Sequence, residues 1–170
     1  MLVAEDDIDI AKQYKFALEL KGHKVTITND GEECLKVYRE ALKQSQNGSP
    51  FDVVVLDYRM PGMNGMEAAR QILETNPRQM LIFASAYVKE LLAEADPELR
   101  QIAGVLEKPF SMKRFLEAID GAIESRKNCK LCGESIGVKI TAKEGLFAEL
   151  CNKCWELQNN MVLEVLGQTK

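Results

Sequence analysis

Short aliphatic runs alternate along this chain with longer segments in which apolar residues recur every three to four positions. Leu2–Ala4 opens the pattern, and a helical period follows across Ile8–Leu20, ended by Gly22. Val25–Thr28 reads as a second strand. A helix is predicted through Cys34, Leu35, Tyr38 and Leu42, and the polar stretch Gln44–Pro50 as a loop. Val53–Leu56 is apolar throughout, as a strand buried on both faces should be. The alternation continues with a helix over Met66–Leu73, a strand at Met80–Ala84 and a helix around Val88–Ala95. A short strand at Val105–Leu106 and a helix from Ser111 to Glu124 complete it. Five βα units predict an α/β fold: a parallel sheet covered on both sides by right-handed crossovers, with its site at the carboxyl ends of the strands.

Composition changes the picture only at the end of the chain. The 170 residues hold one ordinary domain and a small appendix, assigned as residues 1–126 and 127–170. Sixteen Lys and Arg face 21 Asp and Glu over residues 1–126, net −5, and 6 face 5 over residues 127–170, net +1. Neither part has the basic excess of a strong nucleic-acid binder. No apolar run approaches the roughly 18 residues that span a bilayer, and Glu5, Asp6 and Asp7 interrupt the first apolar stretch, so no membrane segment or signal peptide is expected and the cytoplasm is the expected location. A first strand starting at residue 2 leads to the expectation that a residue or two of the natural start is missing or replaced.

The strand-end rule gathers Glu5 and Asp6 after the first strand, Asp57 after the third, Ser85 after the fourth and Lys108 after the fifth. Clustered carboxylates repel one another unless a cation holds them, and oxygen donors suit a hard divalent ion such as Mg²⁺. Glu5-Asp6, the stretch Asp57-Tyr-Arg-Met-Pro-Gly-Met-Asn-Gly65, Ser85-Ala86 and Lys108-Pro109-Phe110 stand in the order and spacing of the response-regulator receiver family. The chain resembles that family over residues 1 to about 126.

The resemblance implies a flavodoxin-like (βα)5 fold with strand order 2-1-3-4-5, and a two-component signalling protein. It makes Asp57 the acceptor of a phosphoryl group from a sensor histidine kinase or phosphotransfer protein. Glu5, Asp6, Asp57 and the Arg59 carbonyl become the Mg²⁺ ligands. Lys108 pairs with the remaining oxygens, aimed by Pro109 after a cis bond, and Ser85 hydrogen-bonds the phosphoryl group as the switch. An enzyme acting on a separate substrate is not expected: a dehalogenase-type phosphatase would want a second Asp two residues after the first, where Arg59 stands. The family's inward-turning aromatic, three residues before the lysine, is replaced by Val105, so switching is expected through the Ser85 loop with Tyr87. Arg59 and Tyr87, both bulky, occupy the positions where the family tunes hydrolysis, which predicts a long-lived phosphorylated state. Cys34 is expected as a buried structural thiol, His23 as a surface residue, and Met60, Met63 and Met66 as packing around the loop after Asp57.

Cys129 and Cys132 form one Cys-x-x-Cys pair, Cys151 and Cys154 another 18 residues on, a spacing that suits tetrahedral Zn²⁺. The pattern resembles treble-clef zinc fingers and predicts a small zinc-binding module ending in a helix. The tail has no Arg after Arg126, while Trp155, Leu157, Met161, Val162, Val165 and Leu166 exceed what so small a core hides. Contact with an unidentified output protein, or homodimerisation, is therefore preferred to a transcriptional regulator whose finger binds DNA.

Overall fold

The computed structural model describes residues 1–45, 49–77, 79–95 and 103–125. Five strands, β1 (Leu2–Ala4), β2 (Thr26–Thr28), β3 (Val54–Asp57), β4 (Leu81–Ser85) and β5 (Ala103–Glu107), form one parallel sheet in the order 2-1-3-4-5. The helices described are α1 (Ile8–Leu20), α2 (Gly31–Gln44), α3 (Gly65–Thr75), α4 (Val88–Glu94) and α5 (Met112–Ser125). This is the parallel α/β sheet expected from the alternation, in the flavodoxin-like order that the family resemblance implies.

The aliphatic runs of the central strands are explained by two apolar layers. Leu2, Ala4, Val54, Leu56, Leu81 and Phe83 project to one side, where Cys34, Leu35 and Tyr38 of α2, Met66 and Ile72 of α3 and Leu91 of α4 meet them. Val3, Val53, Val55, Ile82, Ala84 and Leu106 project to the other, against Tyr14 and Leu18 of α1 and Phe115, Ile119 and Ala122 of α5. Alternate side chains of a strand leave by opposite faces, so both faces must be apolar once both carry helices.

Helix ends follow local chemistry. Asp7 caps α1 by accepting from the Asp9 and Ile10 amides, and at its other end the Gly22 and His23 amides donate to Glu19 and Leu18 with Gly22 at φ 86°. That left-handed turn favours glycine. Asn64 and Glu67 form a reciprocal capping box, which starts α3 at Gly65, one residue earlier than Met66. Two further sequence expectations are corrected. The last strand runs over five residues rather than Val105–Leu106 alone, because pairing with Leu81–Ser85 extends it through Gly104 and Glu107, which no propensity marks as strand. Pairing likewise sets β3 and β4 one residue later than the apolar runs suggest, so that Asp57 and Ser85 close their strands. The tail cysteines Cys129, Cys132, Cys151 and Cys154, with the zinc module built on them, lie outside the described residues. No helix among the described residues is long and apolar enough to cross a membrane.

Candidate functional site

Parallel pairing brings the ends of β1, β3, β4 and β5 to one edge of the sheet. Glu5 follows β1 with its amide bound to the Thr28 carbonyl at 3.1 Å, and the Lys108 amide, just past β5, donates to the Ser85 carbonyl at 2.9 Å. Asp57 closes β3. The loop beyond it folds back at once: the Gly65 amide donates to the Tyr58 carbonyl at 3.0 Å, the Gly31 amide to the Met63 carbonyl at 3.2 Å, and the Arg59 amide to Asp57 Oδ1 at 3.3 Å. Gly65 passes so near this strand end that a Cβ there would overlap the Asp57 carbonyl oxygen. The site loop is thereby held between β3, α2 and α3.

The three carboxylates Glu5, Asp6 and Asp57 each offer an oxygen within 4.8 Å of the others. Lys108 reaches the same point from the opposite side. Its Nζ donates to Glu5 Oε2 at 2.8 Å and Oε1 at 3.1 Å, and to Asp57 Oδ2 at 2.8 Å. Glu5 is 1% exposed, and burial pushes its carboxyl up to about 7 even though the Lys108 ammonium pulls it down. For Lys108 burial works downward, but hydrogen bonds and charge from Asp57 and Glu5 outweigh it and the ammonium is held above its usual value. Three carboxylates thus share one cationic side chain, Lys108, which bonds directly to two of them. The donor set of the pocket, all hard oxygen, fits a divalent ion that tolerates retained water.

Around this core the other predicted residues take distinct places. Ser85 is buried, and its hydroxyl oxygen accepts from the Tyr87 amide at 2.9 Å. Tyr87 is 40% exposed, and the Arg59 guanidinium lies over its ring at 3.8 Å from the centroid. The residues two positions after Asp57 and two positions after Ser85 therefore stack on each other. Val105 packs against the core on the α4 side. The Lys108–Pro109 bond is cis. Met60 and Met66 are buried and Met63 packs beside them; Cys34 is fully buried, and burial pushes its thiol up to about 12. His23 is half-buried.

Sequence reasoning missed three features. The Lys108–Glu5 bond spans 103 residues and had no local signal. Tyr14 on α1 stacks with Phe115 at 4.4 Å and Phe110 at 6.0 Å, so the segment just after Lys108 is pinned to the helix that begins beside Asp6. A polar network at the opposite end of the sheet joins Tyr38, Gln79 and Asn76, with 3.0 Å bonds from the Tyr38 hydroxyl to Gln79 Oε1 and from Asn76 Nδ2 to that hydroxyl.

Comparison with known proteins agrees with this geometry. The family described as response regulator receiver domain matches residues 1–120. The response regulator receiver protein CpdR of Brucella abortus is 30% identical over 120 residues, covering 71% of this chain and 92% of that protein. The sensor kinase CckA of the same organism is 29% identical over 126 residues, 74% of this chain but only 13% of the kinase. Among solved structures, a response regulator receiver domain protein from Clostridium thermocellum superposes with a TM-score of 0.61 at 27% identity, covering 74% of this chain and 94% of its own. The response regulator TrrA of Thermotoga maritima, solved in complex with Mg²⁺ and BeF, gives 0.59 at 25% identity, covering 71% and 96%. The chain therefore belongs to the response regulator receiver family.

Proposed function

We propose that Asp57 accepts a phosphoryl group from a sensor histidine kinase or phosphotransfer protein, and that the chain acts as a switch rather than as an enzyme on a diffusible substrate. The observation that carries this reading is Lys108 Nζ at 2.8 Å from Asp57 Oδ2, inside a cluster of three carboxylates. An Asp57 carboxylate oxygen attacks phosphorus with a lone pair not used by the Arg59 amide or Lys108, the bond from phosphorus to the donor imidazole breaks, and the imidazole keeps the electron pair. Glu5, Asp6, Asp57 and the Arg59 carbonyl would hold Mg²⁺, which neutralises charge building up on the transferred group when it is bound. Lys108, held cationic by Asp57 and Glu5, exchanges these carboxylate partners for phosphoryl oxygens, whose negative charge takes over that role. Ser85 gives up its acceptor role toward the Tyr87 amide and donates to the new group, which draws the start of α4 inward.

Titration of Mg²⁺ followed by beryllofluoride, read by calorimetry, tests this. The expected result is saturable Mg²⁺ binding and beryllofluoride uptake only with Mg²⁺ present, both lost in Asp57→Asn. Equal uptake by Asp57→Asn and the parent chain would remove Asp57 from the role.

For the tail, the reading is one Zn²⁺ held by Cys129, Cys132, Cys151 and Cys154 in a protein-contact or dimerising module, with DNA binding disfavoured. Metal analysis should return one zinc per chain, and sedimentation should show assembly responding to beryllofluoride; a salt-sensitive gel shift on DNA would instead favour the transcriptional alternative.

A further inference from the structure

Three of the four large hydrophobic side chains exposed among the described residues belong to α1: Ile8, Phe16 at 66% and Leu20 at 72%. Phe16 and Leu20 are one turn apart, on the side of α1 away from Ala11, Tyr14 and Leu18, which α1 buries together with Ala17. Both therefore lie on the solvent side of the helix.

The route of the chain indicates what covers them. α5 packs beside α1 on the same sheet face, and Lys21 at the end of α1 pairs with Asp120 of α5 at 3.7 Å. The described residues end on α5 at Ser125, five residues past the Asp120 that pairs with the end of α1. Residues 126–170 start from that point. They carry Leu157, Met161 and Val165 at four-residue intervals, with Val162 and Leu166 beside them, more apolar surface than a four-cysteine module of that size conceals. A segment tethered this close competes at an effective concentration in the millimolar range, which a separate partner at micromolar concentration does not match. We propose that residues 155–166 of this chain dock on the outward face of α1, covering Phe16 and Leu20. The docking does not depend on phosphorylation of Asp57 or on the tail holding zinc.

Trp155 is the sole tryptophan and reports on the contact directly. In the full chain its emission should be blue-shifted and shielded from acrylamide. Replacing Phe16→Ser with Leu20→Ser, both exposed, should shift emission to the red and raise the quenching constant severalfold while beryllofluoride binding stays intact. Lys15→Ser, exposed on another face of α1, should leave emission unchanged. The proposal is overturned if the double variant retains the parent spectrum, if Lys15→Ser shifts it equally, or if shielding in the parent chain vanishes on dilution, which would identify a second copy as the occupant.

Discussion

Replacing Lys108 with methionine keeps most of the apolar stem and removes the ammonium. The side chains involved are largely withdrawn from water, Lys108 being 17%, Glu5 2% and Asp57 13% exposed. Breaking a buried ion pair by deleting one partner costs about 3–5 kcal/mol, because the other charge is left uncompensated. Some water still reaches Lys108 and Asp57, so the lower end applies and the loss should be about 3 kcal/mol at pH 8 without divalent ions. For a urea slope of about 2 kcal/mol/M, the midpoint falls by roughly 1.5 M. Two conditions should shrink the loss. Mg²⁺ supplies another cation to the same carboxylates, and at pH 6 Glu5, already raised to about 7 and climbing further without the lysine, holds its proton. Urea unfolding of Lys108→Met at pH 6 and 8, with and without Mg²⁺, provides the four numbers. A loss that is absent at pH 8 without Mg²⁺, or the same under all four conditions, would refute the electrostatic reasoning.

Four other outcomes follow from the same geometry. Gly65→Ala forces a Cβ against the Asp57 carbonyl and should weaken Mg²⁺ binding at least about tenfold, the effect of about 1.4 kcal/mol of displacement, measured by calorimetry. Mg²⁺ affinity should fall by up to about tenfold per pH unit below 7, because Glu5 must lose its proton to bind metal. In the metal-free chain the sign is opposite: a raised carboxyl contributes stability below its ordinary 4.5 and loses it as pH climbs to about 7, so thermal unfolding should shift downward across that interval. Finally, the Arg59–Tyr87 stack is worth about 0.5–1 kcal/mol, so if water must open it to reach the acyl phosphate, Arg59→Ala with Tyr87→Ala should hydrolyse about 2–5 times faster. Equal decay rates of the two phosphorylated proteins would separate the stack from hydrolysis.

The alternation of runs and helical periods made the sheet legible because strands buried on both faces must be apolar throughout, as Val53–Leu56 is. The site was legible because polar residues following such runs have one edge on which to converge. Strand ends were less so: Gly104 and Glu107 join β5 only through pairing with β4. The capping box of Asn64 and Glu67 was written in the sequence and dates the start of α3 correctly once the Asn-x-x-Glu spacing is noticed. What no local pattern encodes is contact at distance. Arg59 and Tyr87 were singled out separately, but their stacking depends on how the loops after β3 and β4 approach. Glu5 was read as a metal ligand, and its bond to Lys108 emerged only from the sheet order, which places β3 and β4 between β1 and β5.

The most direct test of the account exposes the purified chain to a small-molecule phosphodonor such as acetyl phosphate with Mg²⁺, followed by intact-mass and peptide mass spectrometry. The account predicts a gain of one phosphoryl group, labile to hydroxylamine, mapped to the peptide containing Asp57, dependent on Mg²⁺ and missing in Asp57→Asn. A modification at another residue, or persistent failure to modify Asp57 in a chain that binds Mg²⁺, would contradict it.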